Sequence, residues 1–233
     1  MRVTTNTELI ENRKKWAKRV APVTMALLVG GLVTNFISIS NPAYFRPTLI
    51  LLALGFVSAI ISSHLANNWV REPRADQVLE QTLKKFGNDY TLLNYVGPVP
   101  HLLVAPDGVY TFVVKNQKGE IRINGKRVSR KFTWGRLLRF FTDEGLGSPM
   151  TEAEQRAKQV AKFLRQNLPE TDVPYVKPVV LFSNKEAELV VNEPVVTVMK
   201  SNELKTFLRD EAKARNTSAE QRKKLVELLA GSV

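Results

Sequence analysis

The 233-residue chain contains no cysteine. That absence excludes a disulfide scaffold, a thiol nucleophile and any thiolate zinc or iron–sulfur site. Histidine is nearly missing as well: His64 and His101 are the only two, too few for a zinc site built on imidazoles. The 12 glycines and 12 prolines follow no period, which excludes a collagen-like chain, and neither an internal repeat nor a low-complexity segment is present. Acids are the scarcer charge, with 22 Asp and Glu against 34 Lys and Arg, a formal charge of +12 and a pI near 10.0. A surplus of this size points to nucleic acid or to an anionic membrane surface as partner. At 44% hydrophobic and 24% charged, the composition argues against both a disordered chain and a polytopic transporter.

Charge is absent altogether from two stretches, Val20–Ile39 and Pro47–Ala66. Each has about the 20 apolar residues that a helix needs to cross roughly 30 Å of hydrocarbon. Only Asn41–Arg46 separates them, so they are expected to form a transmembrane helical hairpin whose backbone polar groups are satisfied internally. A cleaved signal peptide fits the first run less well, because its core is long, no small-x-small site follows it and a second span comes at once. Arg13, Lys14, Lys15, Lys18 and Arg19 precede the first span, Arg71 and Arg74 follow the second, and the loop holds Arg46 alone. The positive-inside rule therefore predicts a two-pass protein of the cell membrane with both termini in the cytoplasm. Trp16 and Trp69 are placed as interfacial aromatics at the cytoplasmic ends. Gly30, Gly31 and Gly55 read as close-packing positions, and Asn35 as a helix–helix hydrogen bond or an outer-interface residue.

The expected layout is a basic cytoplasmic segment (1–19), the hairpin (20–66), a linker (67–74) broken by Pro73, an α/β domain (75–214) and a C-terminal helix (215–233). Within the domain, Ala75–Phe86 reads as an amphipathic helix. Tyr90–Val96, His101–Ala105 and Val109–Lys115 read as strands. Pro106-Asp107-Gly108 is a tight turn, and Asn124-Gly125 is the strongest hairpin signal in the chain. These signals predict an antiparallel meander running on through Glu120–Ile123 and Lys126–Phe132. A short helix is predicted at Trp134–Phe141. Thr151-Glu152-Ala153-Glu154 reads as a capping box opening a helix to about Asn167, and Ser218-Ala219-Glu220-Gln221 as a second one. Tyr175–Phe182 and Val195–Met199 are further strands, with a helix at about Asn202–Ala214. The fold class is α/β, a mixed sheet with flanking helices behind a two-helix transmembrane hairpin.

The domain's surplus of positive charge is local. Lys115, Lys118, Arg122, Lys126, Arg127, Arg130, Lys131, Arg136 and Arg139 fall within 25 residues, with Glu120 the single acid among them. The remainder of 67–233 is close to balance. One reading makes this a surface that tracks the phosphates of DNA or RNA, with Phe132, Trp134, Phe140 and Phe141 available for stacking. A second lays it against the anionic leaflet, at about 1 kcal/mol per basic residue near the surface. A third is a solvated face with the aromatics in the core.

The string His101–Gly125, HLLVAPDGVYTFVVKNQKGEIRING, resembles the signature of the nuclease-related domain, NERD. Ala75-Asp76 with Leu79 and Leu83 resembles the family's first helix. Ser148-Pro149 followed by Glu152-Ala153 resembles its Asn-Pro-x-x-Gln-Ala helix, and Val179–Ser183 its late core strand. The resemblance covers roughly Ala75–Arg209 and implies a restriction-endonuclease-like fold of the PD-(D/E)XK type. In that chemistry an Asp on one strand and a Glu two residues before a Lys on the next hold Mg²⁺, which activates water, while the Lys steadies the developing charge. Here Lys115 stands at the Lys position and Asp76 replaces the first-helix Glu. Pro100 and Val113 stand where the two acids belong. Asp89 and Asp107 read as structural residues, at a strand start and a turn. The expectation is a retained nuclease fold without a metal site, acting as a binding or scaffolding module. An active nuclease with unorthodox Mg²⁺ ligands and an accessory subunit of a larger membrane complex are the alternatives. Membrane lipid, nucleic acid and other membrane-protein subunits are the partners considered, and no small-molecule substrate is inferred.

Overall fold

The computed structural model describes residues 1–131, 145–169, 173–214 and 217–231. The described residues fall into two units, one of 7–74 and the other of 1–6 with the described residues from 75 onward.

In the first unit, helix α1 runs over Thr7–Ser40 and helix α2 over Phe45–Leu65, joined by a single 3₁₀ turn at Pro42–Tyr44. Both are long and apolar enough to cross a membrane. Small residues bring them together. A methyl group added at Gly31 would stand 2.7 Å from Leu52, and one added at Gly55 would stand 2.8 Å from Leu28. Each glycine therefore receives the leucine of the facing helix, the small-residue contact that replaces a hydrophobic driving force in lipid. The Thr24 and Ser58 hydroxyls are 2.6 Å apart across the same seam. Asn35 is exposed on α1. A single wider turn, Ala66–Val70, ends the hairpin.

The second unit is built on a six-stranded sheet. Strand β1 is Arg2–Thr5, and helix α3 is Ala75–Leu83. Strands β2 (Thr91–Asn94), β3 (His101–Ala105) and β4 (Gly108–Lys115) follow. Strands β5 (Gly119–Asn124) and β6 (Arg127–Arg130) form a hairpin through Asn124-Gly125, as its sequence predicts. Helix α4 is Pro149–Asn167, β7 is Val176–Phe182, β8 is Ala187–Asn192 and β9 is Thr197–Lys200. Helices α5 (Leu204–Ala214) and α6 (Ala219–Ala230) close the chain. The main sheet runs β1-β2-β3-β4-β7-β9, and a smaller one runs β6-β5-β8. The fold is mixed α/β, since β2, β3 and β4 are antiparallel while β1–β2, β4–β7 and β7–β9 are parallel.

Period-2 alternation divides the strands between two layers. Leu92, Leu103, Tyr110, Phe112 and Leu181 face Leu79 and Leu83 of α3 and Leu204 and Leu208 of α5. Leu93, Leu102, Val104 and Val109 face Val160 and Leu164 of α4 and Leu225 and Leu229 of α6. A third cluster joins Val113, Val180 and Phe182 to Ile121 and Ile123 of the small sheet and to Met150 and Ala153 of α4.

Several local expectations are corrected. The antiparallel meander stops at β4, because β5 leaves the main sheet and pairs in parallel with β8. Helix α4 begins at Pro149 with Ser148 at its N-cap, so Thr151 lies inside it rather than capping it. Proline at the first helical position, with its preset φ and no N–H to satisfy, is the signal that prevails. The Ser218 capping box is present in full, with Gln221 bonding back to the cap. Strands β1 and β8 were not expected. The predicted helix at Trp134–Phe141 lies outside the described residues.

Candidate functional site

Strands β3 and β4 pair from Ala105↔Gly108 up to Leu102↔Thr111. Beyond that point β4 runs on, paired only with β7, through Phe112, Val113, Val114 and Lys115. The β3–β4 pairing ends there, and this end, the mouth of the pair, has Pro100 and His101 on the β3 side and Val113 and Lys115 on the β4 side. Several of the residues singled out in the sequence lie near it.

Lys115 ends β4 with its side chain largely buried, and its Nζ lies 3.3 Å from Glu152 Oε2. Glu152 stands in the first turn of α4. Its other oxygen accepts from Arg156, one turn further on. Arg156 also donates from Nη1 to the Phe112 carbonyl, at 2.7 Å. That carbonyl belongs to the first β4 residue past the last β3 partner. Val113 is 2% exposed inside the apolar cluster of Ile121, Met150 and Ala153. Asp76, also 2% exposed, sits in the first turn of α3.

A polar row crosses three strands at the mouth. Thr5 and Asn94 are register partners, as are Asn94 and His101. Asn94 is fully buried, and its Nδ2 donates to Thr5 Oγ1 (3.3 Å) and to Glu80 Oε1 of α3 (3.2 Å). His101 Nδ1 lies 3.0 Å from Asn94 Oδ1. Burial first, and then the nearby Arg156 cation, lower the His101 pKa to about 3, with Asp76 partly opposing them. The imidazole is therefore neutral, and its Nδ1–H is the donor to Asn94. Tyr95 packs edge-to-face on it, with centroids 4.9 Å apart.

Asp107 and Asp89 keep structural partners. Asp107 is buried, accepts from the Tyr110 hydroxyl and lies 3.4 Å from Lys177 Nζ. Asp89 accepts from Arg222 at 3.1 Å.

A hard divalent cation needs oxygen ligands, and these residues do not supply the set. Pro100 and Val113 offer no side-chain oxygen, the Nδ1 of His101 is held by Asn94, and the Glu152 carboxylate is shared by two cations. Among the described residues no group of three or more His, Asp or Glu could hold a metal.

The basic stretch is described as far as Lys131. Its cations face carboxylates: Lys118 with Glu186 (3.4 Å), Arg122 and Lys131 with Glu120 (2.5 and 3.7 Å), and Lys126 with Glu154 (2.7 Å). Hydrogen bonding from Arg122 lowers the Glu120 pKa, and bonding from Lys126 lowers that of Glu154. Arg130 donates to the Lys118 carbonyl at 2.6 Å. Arg127 is exposed on β6. Arg136 and Arg139 lie outside the described residues.

Residues 68–183 match the family model described as the nuclease-related domain, NERD. The chain carries a NERD domain. Comparison with curated proteins and with solved structures gave no match. The NERD match spans α3, β2–β7 and α4, so β1 and β9, the two outer strands of the main sheet, come from chain outside it. Of the residues at the mouth, sequence reading singled out Asp76, Pro100, Val113, Lys115 and Glu152. It did not single out Arg156, Asn94 or Glu80. The visible signal was slight: an Arg four residues after Glu152 on a helix, and one Asn closing an otherwise apolar strand.

Proposed function

We propose that this is a two-pass membrane protein whose NERD domain lies in the cytoplasm and binds or scaffolds rather than cuts. The carrying observation is Val113, which stands at a position where the NERD resemblance calls for an acid and is packed instead into the apolar core. A carboxylate there without a bound ion would meet the full cost of burying a charge. Purified protein is expected to leave DNA and RNA intact with Mg²⁺ or Mn²⁺. Cleavage that is abolished by Lys115→Ala would overturn the reading.

Two features support the membrane topology. Basic residues flank the hairpin on its open side, and residues 1–6 belong to the same sheet as residues after 75. The helices accordingly leave and return to one folded unit. Single cysteines in this cysteine-free chain check the arrangement in intact cells. Cysteine replacing Asn41 should react with an impermeant reagent, and cysteine replacing Ser201 should not; the reverse pattern would refute the orientation.

The pairing of Lys118, Arg122, Lys126 and Lys131 with carboxylates leaves the basic face nearer to neutral than its composition implies. Its partner on this reading is an anionic surface met through the exposed Arg127, with leaflet lipid and nucleic-acid phosphate sharing the same chemistry.

A further inference from the structure

The mouth between β3 and β4 contains a cation that belongs to the chain. We propose that Arg156 is a built-in replacement for a divalent ion, its guanidinium joining the Phe112 carbonyl to the Glu152 carboxylate where the β3–β4 pairing ends. The inference rests on the reading of this NERD domain as metal-free and names what took the ion's place.

Three observations carry it. First, Arg156 serves the opening itself: its Nη1 satisfies the carbonyl of Phe112, immediately beyond the last β3–β4 pair. Second, Glu152 is divided between two cations, Oε1 to Arg156 and Oε2 to Lys115. An anion held in this way has its charge matched already, and an incoming divalent ion would have to displace a guanidinium from it. Third, the side chains nearest the opening are of the kind a fixed cation can tolerate. Val113 is apolar, and His101 stays neutral with its Nδ1–H turned to Asn94. The field of Arg156 reaches the imidazole and disfavours its protonated form. A planar guanidinium, with five donors and a charge that does not titrate, suits a permanent substitution better than lysine would.

A purely structural role, in which Arg156 only caps a carbonyl, makes a different prediction about metal. The test uses the full chain in mild detergent with Mn²⁺ as probe, followed by electron paramagnetic resonance. Wild type and Val113→Glu are expected to bind Mn²⁺ weakly and equally, because a new carboxylate at 113 would be claimed by Arg156. Combining Val113→Glu with Arg156→Gln is expected to tighten binding at least tenfold over Val113→Glu alone. Equal binding by these two variants, or wild-type binding as tight as that of the double variant, would overturn the proposal. Should the double variant fail to fold, Pro100→Asp with Arg156→Gln repeats the comparison against Pro100→Asp at a partly exposed position. Wild-type Mn²⁺ binding as tight as that of the double variant, without cleavage of nucleic acid, would refute this inference alone, whereas Mn²⁺-dependent cleavage would refute the inactive reading as well.

Discussion

Acidification from pH 6.5 to 4.5 is expected to remove about 2–3 kcal/mol of stability through His101 alone. Folded His101 takes up its proton only near pH 3, against 6.5 for an exposed imidazole. Between those values the unfolded chain holds one proton more than the folded one, so stability rises with pH across the window and falls on acidification. The slope approaches about 1.4 kcal/mol per unit. The contribution is fully present above pH 6.5 and fully lost below about pH 3. The groups around the ring act in different directions. Burial and Arg156 of α4 disfavour the imidazolium, Asp76 of α3 favours it, and Asn94 accepts from the neutral form. Glu80 faces the same Asn94. Melting curves by circular dichroism at pH 7, 5.5 and 4.5 in detergent, compared with those of His101→Gln, isolate the effect. Gln retains an N–H donor for Asn94 and cannot titrate, so its melting temperature should fall less between pH 6.5 and 4.5. Parallel curves for the two proteins would show that His101 does not control the acid response.

Gly108→Val is expected to destabilise the domain by about 3 kcal/mol or more. Gly108 closes the two-residue turn between β3 and β4 with φ +151°, a conformation that β-branched residues avoid at a cost of about 1–3 kcal/mol. Space is lacking as well. A Cβ at this position would stand 2.8 Å from the Tyr175 carbonyl oxygen, which accepts from Val109 N–H at the start of β4. Overpacking against backbone adds about 1–3 kcal/mol. Gly125 provides the control. Its φ is +56° and no atom lies within 4 Å of the added Cβ, so Gly125→Asn should cost less than about 1 kcal/mol, because Asn enters the left-handed region readily. Denaturant midpoints for the two variants decide the matter. A similar loss for both would mean that backbone conformation alone accounts for it and the Tyr175 contact does not.

Both turns were legible in the sequence because their causes are local: a glycine, a preset φ and two flanking apolar runs. The same holds for the hairpin helices, for the Ser218 cap and for the strands β3, β4 and β7, whose continuous apolar character follows from burial on both faces. What was not legible depends on partners far away in the chain. Arg2–Thr5 is too short and too polar to declare itself a strand, and it becomes one only by pairing with Thr91–Asn94. Strand β5 has clear alternation, yet alternation does not say which neighbour it joins, and β8 lies more than 60 residues downstream. The site divides in the same way. Asp76 and Lys115 were found because the NERD resemblance reserves places for them. Arg156 was missed because an arginine one turn after a glutamate reads as a surface pair on any helix, and only the opening of β3 from β4 turns it inward.

Strand β1 has a consequence for biosynthesis. Its partner β2 is made about 90 residues later, after both apolar helices have been translated, and the amino group of Met1 bonds the Phe86 carbonyl at 2.7 Å once the sheet has formed. Residues made before both apolar helices are thus held in reserve for one edge of the sheet. If α1 and α2 enter the bilayer as the chain is made, those residues cannot cross it while β2 stays behind, because β1 could then never reach its place beside β2. Insertion and folding then proofread each other. A chain in which only one of the two helices inserts leaves the sheet one strand short, with β2 as an unpaired edge that quality-control proteases or chaperones can recognise.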